Sequence, residues 1–97
     1  MFALLSPEEV LSGIAARMKR RRIGLGLTQR ELSARAGVSY SSLRVFEETG
    51  RIALASLVRL AFALGAEAEF AGLFPPPPPG RLEDVLEKPE RKRARRR

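Results

Sequence analysis

The chain has 97 residues, a formal net charge of +7, and neither cysteine nor histidine. That length supports one compact core rather than two, and the missing residue types exclude disulfides, thiolate nucleophiles, imidazole bases and the usual zinc ligand sets. A hydrophobic fraction of 44% beside 30% charged residues is the composition of a chain that folds. Residues 1–74 carry ten basic and seven acidic side chains, whereas residues 75–97 carry eight against four, so the tail holds most of the excess. A basic balance favours polyanions, either nucleic acid or an anionic membrane surface. Arginine outnumbers lysine fifteen to three. This suits bidentate phosphate or guanine contacts, and it also follows from a plain compositional bias. No apolar run approaches the ~20 residues of a membrane span, and Met1 to Leu5 is too short for a signal-peptide core, so a cytoplasmic protein is expected.

In chain order, Ser6-Pro7-Glu8-Glu9 predicts a helix start. The serine hydroxyl can cap free N–H groups, proline suits the first turn, and Glu9 completes a capping box. Val10, Leu11, Ile14 and Met18 recur at three- and four-residue spacing and predict one buried face. The pattern ends among Lys19 to Arg22, basic residues that complement the helix dipole, before Gly24 and Gly26. Thr28-Gln29-Arg30-Glu31 is a second capping box opening a helix of about two turns, with Leu32 and Ala36 inward and a stop at Gly37. Ser39 can cap a third helix, in which Leu43 and Phe46 share a face and Thr49-Gly50 closes the segment.

Leu57, Leu60, Ala61 and Leu64 mark a fourth helix before Gly65. Residues 66–74 fit either a short helix, through Phe70, Leu73 and Phe74, or an alternating strand, and the helix is the favoured reading. The expected fold is thus all-α, a bundle of about five short helices over residues 1–74. A stiff polyproline linker follows at 75–80, because proline lacks an N–H and holds its predecessor extended. Residues 81–97 form a basic tail expected to be disordered, with a brief apolar stripe at Leu82, Val85 and Leu86.

The segment from Thr28 to Gly50, T-Q-R-E-L-S-A-R-A-G-V-S-Y-S-S-L-R-V-F-E-E-T-G, carries the functional reading. Two short helices meeting at a steep angle need a small residue where their backbones approach, which Ser33 supplies, and a residue that tolerates positive φ at the corner, which Gly37 supplies. Val38 plugs the corner, and Leu32, Leu43 and Phe46 pin both helices to one core. Tyr40, Ser41 and Arg44 then project from the outer face of the third helix. Glu31 serves its capping box, and Glu47 is expected to pair with a nearby arginine. Neither carboxylate has a partner that suggests acid–base chemistry, and no catalytic, metal or cofactor site is expected.

This segment resembles the Xre family of helix-turn-helix regulators, which includes the phage Cro proteins and lambda-type repressors. The resemblance rests on T-Q-x-x-L, the glycine after the second helix, V-S at the start of the third, and the F-E-x-x-G close. With R-I-A-L-A-S-L-V-R-L-A-F-A-L-G after it, the likeness covers roughly residues 10–65. It implies a DNA-binding transcriptional regulator that inserts the helix from Ser39 to Glu48 into the major groove of double-stranded DNA. Gln29, with the N-terminal N–H groups of its helix, would meet phosphate, and Ser39 would also touch the DNA backbone. Tyr40, Ser41 and Arg44 would face base edges, Arg44 by forking onto guanine O6 and N7. Arg51 would clamp another phosphate. Ser33 stands where the family usually has alanine, and the reading positions lack the glutamines of several phage repressors.

One short recognition helix reads only about four to six base pairs, so a homodimer on paired half-sites is expected, with Phe62, Phe70, Leu73 and Phe74 as candidate interface residues. The stretch from Leu73 to Arg97 resembles tails of HipB-like antitoxins encoded beside kinase-like toxins. That implies a toxin-binding role for Leu82, Val85 and Leu86, while the basic terminus offers sequence-blind DNA affinity. Two other classes stay open: an RNA-binding basic protein, against which the scarcity of exposed aromatics argues, and a protein-interaction adaptor that keeps the fold.

Overall fold

The computed structural model describes residues 5–78, and among these all regular structure is helical: α1 (Pro7–Gly24), α2 (Gln29–Ala36), α3 (Tyr40–Thr49), α4 (Leu54–Ala63) and α5 (Glu67–Ala71). Both predicted capping boxes form. The Glu9 N–H donates to Ser6 Oγ at 3.1 Å and the Ser6 N–H to Glu9 Oε1 at 2.9 Å. At the start of α2 the Glu31 N–H donates to Thr28 Oγ1 at 3.0 Å and the Thr28 N–H returns to Glu31 Oε1 at 2.9 Å. The bond from the Thr28 backbone holds the Glu31 carboxyl below its ordinary range, because an accepted N–H bond favours the ionised form. Residues 66–74 resolve in favour of the helix, α5, which is only five residues long.

The core is built from Ala15, Leu27, Leu32, Val38, Leu43, Phe46, Leu60 and Leu64, with Ile14, Met18, Ile52 and Leu57 packed against it. Helix α3 packs on α1 and α2, α2 also packs on α4, and α5 lies on α4. Leu32, Leu43, Phe46 and Leu60 are the largest side chains fully withdrawn from water. Burying each contributes on the order of 2 kcal/mol of transfer free energy. Three of these four, with Val38 beside them, lie between Leu32 and Phe46, so the segment that turns at Gly37 is also the segment most firmly anchored to the core.

One feature of α1 differs from the sequence reading and another adds to it. The stripe of Val10, Leu11, Ile14 and Met18 is only partly covered, and Val10 is exposed. The positions of α1 that are buried are Ala15 and Arg22. Periodicity identifies a face but not which of its positions the neighbouring helices cover: Ile14 and Met18 pack against the core, whereas Val10 does not. The basic last turn does place Arg21 and Arg22 at the negative end of the dipole, and it also makes tertiary pairs that the sequence does not mark. Arg21 reaches Glu69 of α5 at 2.8 Å on the surface, and Arg22 turns inward.

Gly37 and Gly50 carry the two bends that set α3. Gly37 adopts φ 69° and Gly50 φ 83°, left-handed values at which a side chain costs about 1–2 kcal/mol. Their surroundings differ. A Cβ at Gly37 would meet no atom within 4 Å, whereas one at Gly50 would stand 2.7 Å from the Leu11 backbone carbonyl carbon. The end of α3 therefore approaches the backbone of α1 at a point only glycine can occupy. Ser33, predicted as the small residue of the corner, is buried between the elements, and its carbonyl accepts from both the Gly37 and Val38 N–H groups at 2.9 and 3.1 Å. Its hydroxyl finds no hydrogen-bond partner among the described residues. Leu82, Val85, Leu86 and the basic terminus lie outside the described residues.

Candidate nucleic-acid interface

The site is built on the underside of α3 before it is built on its outer side. Arg22 Nε donates to Glu47 Oε2 at 2.8 Å and its Nη2 to Glu47 Oε1 at 3.1 Å, a bidentate pair, while Nη1 donates to the Leu27 carbonyl at 2.7 Å. Both side chains are almost wholly withdrawn from solvent. An ion pair placed there needs hydrogen-bond partners for its polar atoms, and here each guanidinium nitrogen and each carboxylate oxygen has at least one. Gln29 Nε2 adds a third bond to Glu47 Oε1 at 2.8 Å. One carboxylate thus ties the last turn of α1 and the first residue of α2 to α3, which fixes the angle at which the outer face of α3 is presented.

On that outer side Ser39 caps α3. Its Oγ accepts from the Ser42 N–H at 3.1 Å and donates to Ser42 Oγ at 2.8 Å. Tyr40 is half-buried, and Ser41 and Arg44 are exposed. The Arg30 guanidinium lies over the Tyr40 ring at 4.0 Å from its centroid and that of Arg44 at 5.8 Å, both inside the ~6 Å over which a ring face attracts a cation. Arg51 is exposed just after α3, with its N–H bonded to Thr49 Oγ1 at 3.1 Å. Among the described residues, none of Arg30, Arg44 and Arg51 forms an ion pair. The result is an outer side of α3 with Arg44 and short polar side chains, flanked by Arg30 of α2 and Arg51 beyond the helix, and underlain by a hydrogen-bonded network.

A helix-turn-helix family model matches residues 18–70, more than half of the chain and the whole of this arrangement. The chain belongs to the helix-turn-helix family. Its domain is of the Xre type, shared with Cro and lambda-type repressors, and it is a DNA-binding regulator of that type. No curated protein matches the chain.

Within the helix-turn-helix domain, the residues expected at the DNA fall into two groups. Tyr40, Ser41, Arg44 and Arg51 are brought to one side, at the start and middle of α3 and just beyond it. Gln29 and Ser39 are already engaged. The Gln29 amide gives one N–H to Glu47 and has one left for an acceptor, while the Ser39 hydroxyl spends its proton on Ser42. Two residues of the face escaped the sequence reading. Val45, 46% exposed, stands one turn beyond Ser41 and lines a shallow groove with Ser41, Ser42, Arg51 and Ser56; counting four residues on from Ser41 would have found it. Arg30 belongs to a different helix from Tyr40, and no local spacing points to it. Among the described residues no helix is long and apolar enough to cross a membrane.

Proposed function

We propose that this protein is a sequence-specific transcriptional repressor that inserts the helix from Ser39 to Glu48 into the major groove of double-stranded DNA. The observation that carries the reading is the division of α3. Its inner side is consumed by Leu43, Phe46 and Glu47, and its outer side offers Tyr40, Ser41 and Arg44 with Arg44 unpaired among the described residues. An exposed arginine on a helix of groove-fitting width can take guanine O6 and N7 in a fork, and short hydroxyls can meet either kind of base edge. Arg51 and the free Gln29 N–H supply backbone contacts that set register. Repression follows from occupancy of a promoter site.

A homodimer doubles the readable length, with half-sites about one helical turn apart. Phe62, Leu73 and Phe74 are exposed and Phe70 half-buried, apolar area suited to a second copy. The testing experiment is a salt titration on an inverted repeat selected from random duplexes. The repressor reading expects binding to that repeat to survive at near-physiological salt while binding to unrelated duplex collapses; equal collapse on both would exclude it.

The antitoxin reading concerns the chain's tail, the stripe at Leu82, Val85 and Leu86, and rests on the resemblance of that tail alone. Co-purification with a kinase-like protein encoded beside it is the result it requires.

A further inference from the structure

We infer that Arg30 is a positioning residue that holds the Tyr40 ring and couples a phosphate contact to reading by α3. This inference rests on the DNA-binding reading above and adds to it a residue from the preceding helix. A guanidinium stacked on a ring uses its face and leaves its N–H edge free. Arg30 sits over Tyr40 at 4.0 Å, closer than Arg44 at 5.8 Å, and among the described residues it makes no ion pair. It is the second residue of α2, where the positive end of the helix dipole favours an anion. One side chain thus has donors to offer a strand backbone while its guanidinium carbon lies over the ring of the first residue of α3. Tyr40 itself is half-buried although it lies at a helix start, and the Arg30 guanidinium is one of the groups over its ring.

The consequence is mechanical. A tyrosine at the start of a helix has two rotatable side-chain torsions, and a ring that wanders cannot discriminate between bases. Stacking restricts it before DNA arrives, so less ordering is needed on binding. When a phosphate engages the Arg30 edge, the ring is fixed relative to that phosphate, and the base edge it faces is fixed with it. Lysine could supply the charge at this position but not the flat cover.

Tyr40 is the only tyrosine of a chain without tryptophan, so tyrosine fluorescence reports the surroundings of this one ring. In the full chain, free of DNA, R30A and R30K are both expected to raise quenching of the Tyr40 emission by acrylamide, with helix content unchanged. On the selected duplex, R30A is expected to lower affinity and to lose roughly two- to fivefold of the discrimination at the same base pair that Y40A affects, the range an exposed cation–π contact spans. R30K keeps the affinity for unrelated duplex but loses the discrimination, and the R30A/Y40A pair falls short of the product of the two single effects. Unchanged quenching in R30A, or a loss in R30K and R30A that is uniform across all base positions, overturns the inference. If the wild-type protein shows no preference among duplexes, the DNA-binding reading itself has failed, and the quenching result still reports whether the stack exists.

Discussion

The two sides of α3 differ in what folding leaves over. On the inner side Leu43 and Phe46 are fully buried, and Glu47 accepts three hydrogen bonds from Arg22 and Gln29. On the outer side Arg44 is exposed and unpaired among the described residues, Ser41 is exposed, and the Tyr40 ring has two guanidinium groups over it. Arg22 and Arg44 are the same residue type used in opposite ways. A buried guanidinium must have its partners within the protein, whereas an exposed one can take them from a ligand. The comparison teaches that, on one ten-residue helix, the residues that anchor the fold are separate from those proposed to meet DNA.

That separation can be broken most forcefully at Glu47. Glu47→Ala leaves the Arg22 charge buried without its partner, and unfolding by denaturant is expected to show a loss of about 3–5 kcal/mol. A near-neutral result would mean that the pair is open to water and that the inner side is not as closed as described. Gly50→Ala combines the left-handed backbone with a clash against Leu11 and is expected to cost about 2–4 kcal/mol. Gly37→Ala, with the same backbone strain and open space around it, should cost only about 1–2 kcal/mol. Equal losses at the two glycines would remove the close approach of α3 to α1 from the account.

Ser33→Ala sharpens the comparison from the other direction. It removes a buried hydroxyl with no partner among the described residues, so the melting temperature is expected to hold or rise, by the equivalent of up to about 1 kcal/mol. A clear loss would reveal a partner for that hydroxyl. The smallest expected effect on stability belongs to the outer face. Arg44→Ala and Arg51→Ala should stay within about 0.5 kcal/mol of wild type, since neither side chain is committed inside the fold.

Much of the fold is legible in the sequence because its signals are local. Each capping box needs only a hydroxyl and a glutamate three residues apart, and Ser6–Glu9 and Thr28–Glu31 both close as their spacing predicts. Periodicity and corner chemistry point Leu32, Val38, Leu43 and Phe46 inward, and all four are buried. Glu47 was expected to find an arginine, and it finds Arg22.

What could not be read is what the tertiary arrangement supplies. Arg22 stands 25 residues from Glu47, and Gln29 stands 18 from it. Nothing in the run Lys19 to Arg22 marks which of four basic residues turns inward. The stack of Arg30 on Tyr40 and the pressure of Leu11 on Gly50 likewise join different helices. Val10 shows the converse limit, because its spacing matches the stripe of Ile14 and Met18, which pack against the core, and yet it stays exposed.

The central claim is that the outer side of α3 faces the bases and that Arg51 faces the strand backbone. Binding of Arg44→Ala and Arg51→Ala, each profiled across every base position of the selected half-site, tests it most directly. The account predicts that Arg44→Ala relaxes preference at one position, by about 1–3 kcal/mol of discrimination, while Arg51→Ala weakens all sequences alike and lowers the salt dependence by about one charge. Uniform weakening by both substitutions would contradict it, because the exposed face of α3 would then be touching DNA without reading it.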